Sequence, residues 1–117
     1  MRDAMLVAVG GAAGALARAA CTGAGDAWSV AAVNVAGCLL MGVLTAWLAA
    51  PGRWPGWSPL LSTGVLGGFT TFSAWAVLEA DAPAAAHITL LACPAAYVVA
   101  KRLARAAGGA GRTGAAR

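Results

Sequence analysis

The chain has 117 residues, of which 61% are hydrophobic and only 10% are charged, and its formal net charge at pH 7 is +4. A soluble domain of this size has about a quarter of its residues charged. The composition therefore excludes an ordinary soluble domain and indicates a single-domain integral membrane protein.

Four apolar segments are long enough to cross a bilayer as helices, which takes roughly 20 residues each. They cover residues 4–21, 28–50, 59–78 and 83–103. The first is not a cleavable signal, because its apolar run is long and carries glycines throughout. We predict an all-α, four-helix membrane domain over residues 1–107, followed by a disordered basic tail over residues 108–117.

The basic residues fall on one side of the membrane if the chain crosses it four times. They are Arg2, Arg53, Lys101, Arg102, Arg105, Arg112 and Arg117. Arg18 falls near the other side, with the acidic residues Asp26, Glu79 and Asp81. The positive-inside rule then places both termini in the cytoplasm, with the chain in the plasma membrane. The tail is too short, and too poor in aromatics, to favour nucleic-acid binding.

Helix one carries Gly10, Gly11 and Gly14, a face of small residues that permits close contact with another helix. Arg18 follows one turn later. Two roles for Arg18 stay open from the residues alone. Its guanidinium either extends to the interface or neutralises anions in a vestibule.

Asn34 lies inside helix two between two valines. An amide in hydrocarbon is costly without a partner, so Asn34 should face a neighbouring helix or a hydrated path. Because an amide both donates and accepts, it serves an ion of either sign or a structural hydrogen bond equally well.

Helix three contains Gly67-Gly68-Phe69-Thr70-Thr71-Phe72-Ser73, in which paired glycines and threonines predict a break at mid-membrane. Carbonyls of Gly67 and Thr70 would suit a cation there, and the start of the second half-helix would suit an anion. Phe72 and Trp75 share a face of that half-helix. Their rings either pack against lipid or turn electropositive edges toward an anion.

Helix four carries Thr89, Cys93 and Tyr97 in one stripe, and its His87 lies near the membrane boundary. Of the three cysteines, none has metal-ligand spacing, which favours packing roles for Cys21, Cys38 and Cys93. Without a nucleophile beside a base, a phosphate loop or a metal cluster, an enzyme is not expected.

These motifs resemble the Fluc (CrcB) fluoride channel family. The resemblance rests on the Gly-Gly-x-x-Gly-Ala-x-x-Arg run ending at Arg18, on Asn34, and above all on the run from Gly67 to Ser73. It implies an antiparallel dimer with two fluoride pores that exports toxic fluoride passively from the cytoplasm. By motif position the pore residues would be Asn34, Thr71, Phe72, Ser73 and Trp75.

The resemblance also implies a vestibule at Arg18 and a structural sodium ion at the dimer centre, held by backbone carbonyls of Gly67 and Thr70. No organic cofactor is expected. The chain departs from the family pattern at Val30, at Trp75, and at Glu79, which comes one residue late. Thr89, Cys93 and Tyr97 either replace the usual tyrosine and serine track of helix four or face elsewhere.

The strong charge bias bears on the partner. An antiparallel homodimer needs a chain that inserts in both orientations, which requires a weak bias of Lys and Arg. We therefore expect a heterodimer with a second homologous chain of opposite orientation, with a homodimer as the alternative.

Two functions other than ion conduction fit the sequence less well. A small multidrug or guanidinium exporter needs a carboxylate within its first helix, where this chain has only Asp3 at the very start. A non-conducting assembly subunit would leave both the helix break and Asn34 unexplained.

Overall fold

The computed structural model describes residues 1–23, 26–50, 56–70, 80 and 82–114, with the backbone alone for residues 109–114. All regular structure in these residues is helical: α1 (Arg2–Thr22), α2 (Ala27–Leu48), α3 (Leu60–Phe69) and α4 (Pro83–Gly114). Helices α1, α2 and α4 are long and apolar enough to cross a membrane, whereas α3 is shorter.

Local hydrogen bonds fix the C-terminal end of α1 and the N-terminal end of α2. Gly23 ends α1 with a positive φ of 54°, which favours glycine, and its N–H donates to the Ala19 carbonyl at 2.9 Å. Asp26 caps α2, because its carboxylate accepts from the Ser29 N–H at 2.8 Å. Hydrogen bonds from the side chain and backbone of Ser29 hold the pKa of Asp26 below its ordinary value.

Helix α3 departs from the predicted segment 59–78. It is π-helical over Leu60–Leu66 and α-helical over Gly67–Phe69, and Thr70 then adopts an extended backbone with φ −89° and ψ 143°. The two glycines, expected to weaken the helix, are helical. The end comes instead at the threonine, whose hydroxyl competes for backbone partners. Residues 71–78 of the predicted segment lie outside the described residues.

Helix α4 is longer than predicted. It continues beyond residue 103 to Gly114 and so includes residues 108–114, which the sequence analysis assigned to a disordered tail. Extending an existing helix costs far less than nucleating one, and alanine and arginine propagate it well. Pro94 lies inside this helix without ending it.

Helices α1 and α3 are in backbone contact along their glycine faces. A Cβ added at Gly10 would meet the carbonyl oxygen of Leu60, and one added at Gly14 would meet that of Val65. The Cβ added at Gly10 would also lie 2.9 Å from the Cα of Gly64. Because residue numbers rise together along both helices, the pair is parallel.

Helices α2 and α4 form a second parallel pair. Gly42, near the C-terminal end of α2, lies against the carbonyl of Tyr97. A Cβ added at Gly42 would also lie 3.0 Å from the backbone nitrogen of Lys101. Toward its N-terminal end, Ala31 and Thr89 line one groove between the helices. The small-residue face predicted for helix one therefore has an equivalent in α2.

The outer surface of the bundle is apolar. Leu16 and Leu91 are each 73% exposed and Leu103 is 65% exposed, whereas the buried hydrophobic residues in the described part of the chain are four alanines and Leu48. Large apolar side chains outside and small ones inside are expected where the surroundings are lipid and the helices pack closely. The described chain is thus a helical membrane protein.

The α1–α3 contact predicts a position-specific effect of added volume. Gly14→Val should destabilise the protein by about 1–3 kcal/mol, because its side chain would enter the backbone of α3. Thermal unfolding in detergent, with the yield of monodisperse protein, measures this. The control is Gly11→Ala, whose Cβ meets nothing within 4 Å in the described residues. Equal losses in both variants would contradict the packing described.

Candidate ion-conduction site

Asn34 lies on α2 at the level where that helix meets the end of α3. It is 3% exposed and has a partner for its side chain. One turn further along, Gly37 lies against the Thr70 methyl group and the ring of Phe69, whose Cδ1 is 3.0 Å from an added Cβ. The structure thus brings the helix of Asn34 beside the end of α3.

Thr70 makes two hydrogen bonds to one acceptor. Its backbone N–H and its hydroxyl both donate to the Leu66 carbonyl, at 3.0 Å and 2.9 Å. The hydroxyl has only one proton, so what Thr70 offers to its remaining surroundings is acceptor oxygens. Such oxygens suit a cation rather than an anion. A Cβ added at Gly67 meets no atom of the described residues within 4 Å.

Arg18 is half-buried on α1, one turn beyond Gly14. A Cβ added at Gly14 would lie 2.8 Å from the backbone nitrogen of Phe69. Because α1 and α3 are parallel, Arg18 lies about one turn beyond that level. Its Nε is buried and has no hydrogen-bond partner among the described residues. A buried cationic donor in this state favours a nearby anion.

The polar stripe of α4 faces α2. Thr89 is buried, and its hydroxyl donates its one proton to the Ala85 carbonyl at 2.7 Å. Tyr97 is different, because its hydroxyl accepts from Lys101 Nζ at 2.9 Å and lies 3.5 Å from the Thr45 hydroxyl. It therefore retains a proton for donation. Cys93 lies opposite Cys38 of α2.

One end of the bundle collects basic and aromatic residues. The guanidinium of Arg2 lies beside Gly56, with Nη2 at 2.9 Å from an added Cβ. Trp47 and Trp57 stack with their ring centroids 6.5 Å apart, which joins the end of α2 to the segment before α3. Lys101 lies near the same end of α2. Trp at a membrane–water boundary is common in membrane proteins.

Several predicted site residues fall outside the described part of the chain: Thr71, Phe72, Ser73 and Trp75, together with Arg53, Glu79 and Asp81. His87 is exposed near the start of α4, with Nδ1 2.7 Å from the Pro83 carbonyl. Within the described residues there is no group of three or more His, Cys, Asp or Glu side chains able to hold a metal ion.

Three contacts in the structure were not predicted from the sequence. Phe69 was treated only as part of the break motif, yet its ring packs on Gly37. The Cys38–Cys93 pair depends on the register between α2 and α4, which no local pattern specifies. The Tyr97–Lys101 hydrogen bond joins residues four apart on α4, a spacing that the sequence does show. The one available signal was spacing: Cys38 to Gly42 and Cys93 to Tyr97 are each one helical turn.

Comparison with known proteins identifies the family. The family model described as "CrcB-like protein, Camphor Resistance (CrcB)" matches residues 5–110. The protein named fluoride-specific ion channel FluC 2 of Thermobifida fusca (strain YX) is 49% identical over 88 residues, covering 69% of this chain and 64% of that protein.

The protein named fluoride-specific ion channel FluC of Corynebacterium efficiens is 41% identical over 108 residues, covering 86% of this chain and 70% of that protein. Its namesake in Caulobacter sp. (strain K31) is 45% identical over 86 residues, covering 66% of this chain and 67% of that protein. Among relatives of this kind, the chain spans between 40% and 70% of their lengths.

The fold and the site define a small helical membrane protein with several apolar helices, one of which ends beside a buried asparagine. The family match narrows this class. The chain belongs to the CrcB family, which confirms the resemblance found in the sequence. Its relatives are named as ion channels rather than as enzymes, as expected.

The contact between α2 and the end of α3 can be tested directly. Gly37→Val should lower the unfolding midpoint, because the added methyl groups would displace Thr70 or the Phe69 ring. The expected cost is about 1–3 kcal/mol. Ala36→Val adds a β-branched residue at the neighbouring exposed position and should be nearly neutral. Thermal unfolding of both variants in detergent compares them, and a neutral Gly37→Val would refute the contact.

Proposed function

We propose that this chain is a subunit of a fluoride-selective channel that exports fluoride passively across the plasma membrane and so relieves fluoride toxicity. The observation that carries this proposal is the buried Asn34 beside the end of α3, in a chain whose relatives are named fluoride-specific ion channels. A purely structural membrane subunit does not require such an amide there.

Fluoride holds its water strongly, so a pore must replace that water with closely spaced donors. In the proposal, the amide of Asn34 and the hydroxyls of Thr71 and Ser73 supply hydrogen bonds. The ring edges of Phe72 and Trp75 supply weaker positive potential. None of these groups carries a full charge, so the ion is stabilised without being trapped.

Cationic residues would act at the two ends of the path. Arg18, with its buried and unpartnered Nε, is proposed as the vestibule residue at one end. Lys101 and the Tyr97 hydroxyl beside it are suited to attract an anion at the other. Of the α4 stripe, Tyr97 keeps a proton to donate, whereas Thr89 uses its proton on Ala85. We therefore assign Tyr97, and not Thr89, a direct role.

A structural sodium ion is proposed at the dimer centre, held by backbone carbonyls of Gly67 and Thr70 from both subunits. One feature fits it: the extended conformation of Thr70 takes its carbonyl out of the helical pattern. Carbonyl oxygens are suitable ligands for a hard cation. When bound, sodium would supply the positive charge that holds the broken third helices of the two subunits together.

Passive conduction is favoured over coupled export. In α1 the acidic residue is Asp3 in the first turn, so the apolar part of this helix offers no carboxylate to carry protons. The driving forces would be the membrane potential and the fluoride gradient.

The subunits are proposed to pair in opposite orientations, and a second homologous chain is the favoured partner. Arg2 and Lys101 lie at one end of the described bundle, in agreement with the charge bias of the sequence. The positive-inside rule would put that end, and both termini, in the cytoplasm. A chain that inserts in one direction cannot supply both halves of an antiparallel dimer.

The pore assignment predicts loss of flux without loss of assembly. In liposomes that hold this chain together with a homologous chain of opposite orientation, Asn34→Asp should reduce fluoride efflux at least tenfold. A carboxylate near the ion repels it by about 4 kcal/mol at 4 Å and an effective dielectric constant of 20. Phe72→Ile should also suppress efflux by removing the aromatic edge. A fluoride electrode measures release, with chloride release as the selectivity control.

Asn34→Ser serves as the matched variant, because a hydroxyl still donates a hydrogen bond and should retain part of the flux. Size-exclusion chromatography in detergent checks that each variant assembles like the parent. Undiminished fluoride efflux in both Asn34→Asp and Phe72→Ile would remove the pore assignment.

The proposed orientation predicts from which side of the membrane Cys21 is labelled. Cys21 is exposed at the end of the bundle opposite Lys101, so a membrane-impermeant maleimide should label it from outside in intact spheroplasts. Cys38→Ala/Cys93→Ala is the background that leaves this one thiol. The chain alone should give little fluoride efflux, and co-expression with an oppositely oriented homologous chain should restore it.

The triple variant Arg2→Gln/Arg102→Gln/Arg105→Gln provides the control, because a weaker bias should allow insertion both ways and label about half of the Cys21 thiols. Full fluoride efflux from the unmodified chain on its own would overturn the heterodimer and leave the homodimer.

A further inference from the structure

Two of the three cysteines meet between α2 and α4. Cys38 and Cys93 are both half-buried, and their thiol groups lie within interaction distance of each other. Cys21 is exposed at the end of α1 and has no such partner among the described residues. Two thiols in contact on different helices have a chemistry that neither has alone.

The register of the helices supports this contact independently. Gly42 lies against the Tyr97 carbonyl, and the side chain next to it on α4 is the small Ala100, whose Cβ is 2.9 Å from an added Cβ. Cys38 and Cys93 each precede that contact by one helical turn, on the same faces of two parallel helices. The Thr45–Tyr97 contact at 3.5 Å fixes the other side of the same register. A disulfide requires closely spaced backbones, and the contact at Gly42 shows that the two helices are in backbone contact one turn from the cysteines.

We propose that Cys38 and Cys93 are an oxidisable thiol pair, which a lipid hydroperoxide converts into an intramolecular disulfide that cross-links α2 to α4. A hydroperoxide dissolved in the bilayer is the fitting oxidant, because both thiols lie within the apolar parts of their helices. Water-soluble oxidants do not partition to this depth of the bilayer, whereas a lipid hydroperoxide does.

The reaction has two steps. One thiol sulfur attacks the terminal oxygen of the hydroperoxide. The O–O bond breaks, the thiol proton leaves with the alkoxide as an alcohol, and a sulfenic acid forms. The second thiol sulfur then attacks the sulfenic sulfur. The S–O bond breaks, hydroxide leaves with the second thiol proton as water, and the S–S bond forms. The two thiols lose two electrons, which reduce the peroxide.

The test counts free thiols in the full chain reconstituted in liposomes. After exposure to cumene hydroperoxide, denaturation and alkylation with N-ethylmaleimide, we expect one adduct, at Cys21, where untreated protein has three. The underlying mass should fall by about 2 Da, and dithiothreitol should restore three adducts. Protease digestion should recover a peptide containing Cys38 linked to one containing Cys93.

A matched variant separates position from general reactivity. Cys93→Ala/Ala95→Cys keeps three cysteines but moves the thiol to an exposed face of α4, about 200° around the helix. It should not lose 2 Da as a monomer under the same conditions. Peptide mapping of the unmodified chain gives the answer even where this variant does not fold.

Three results would overturn the inference. They are retention of three adducts in the unmodified chain, a disulfide that includes Cys21, and a disulfide between subunits. Because the thiol count does not depend on ion flux, failure here leaves the proposed channel function untouched, and failure of that function leaves the thiol pair.

Discussion

The backbone contact between α1 and α3 is the constraint on which the rest of the structure depends. In lipid there is little hydrophobic force between helices, so association relies on dispersion at close range. The carbonyls of Leu60 and Val65, five residues apart on α3, meet Gly10 and Gly14, four apart on α1. An α-helix would turn positions five apart to different faces, whereas the π-helix over Leu60–Leu66 keeps them on one face. The unusual helix type is therefore what matches the two glycine faces.

The second parallel pair, α2 with α4, places polar groups inside the bundle at low cost, because most are satisfied locally. Thr89 donates to the carbonyl of Ala85 and Thr45 to that of Gly42, at 2.7 Å and 3.1 Å. Such bonds within one helix keep hydroxyl groups from being orphaned in hydrocarbon. They also remove those protons from any role with an ion. Polar residues facing the same seam are thus not equivalent, and Tyr97 differs from Thr89 in this respect.

The sequence predicted the features that depend on local composition. The bounds of α1 and α2, the small-residue face of α1, and the positions of Asn34 and Arg18 within helices follow from hydropathy and spacing. The π-helical segment and the pairing of Cys38 with Cys93 were not predictable in this way, and neither was the residue at which α3 ends within the run from Gly67 to Ser73. Each depends on how one helix is rotated and shifted against another, which is set by backbone contacts between distant segments. The extension of α4 to Gly114 was not predicted, because residues 108–114 are rich in glycine, which disfavours a helix.

The hydrogen bonding at Thr70 bears on how one chain segment serves ions of opposite sign. Its hydroxyl proton and its N–H both go to Leu66, so toward other groups Thr70 presents only acceptors, which repel an anion and suit a cation. Asn34, one helical turn before Gly37 on α2, carries two donor hydrogens on its amide. Acceptor oxygens at the end of α3 and an amide donor on α2 therefore lie within about one turn of the same contact between helices. If the proposed sodium site occupies the first and fluoride passes the second, the positive ion would strengthen the field along the anion path without entering it.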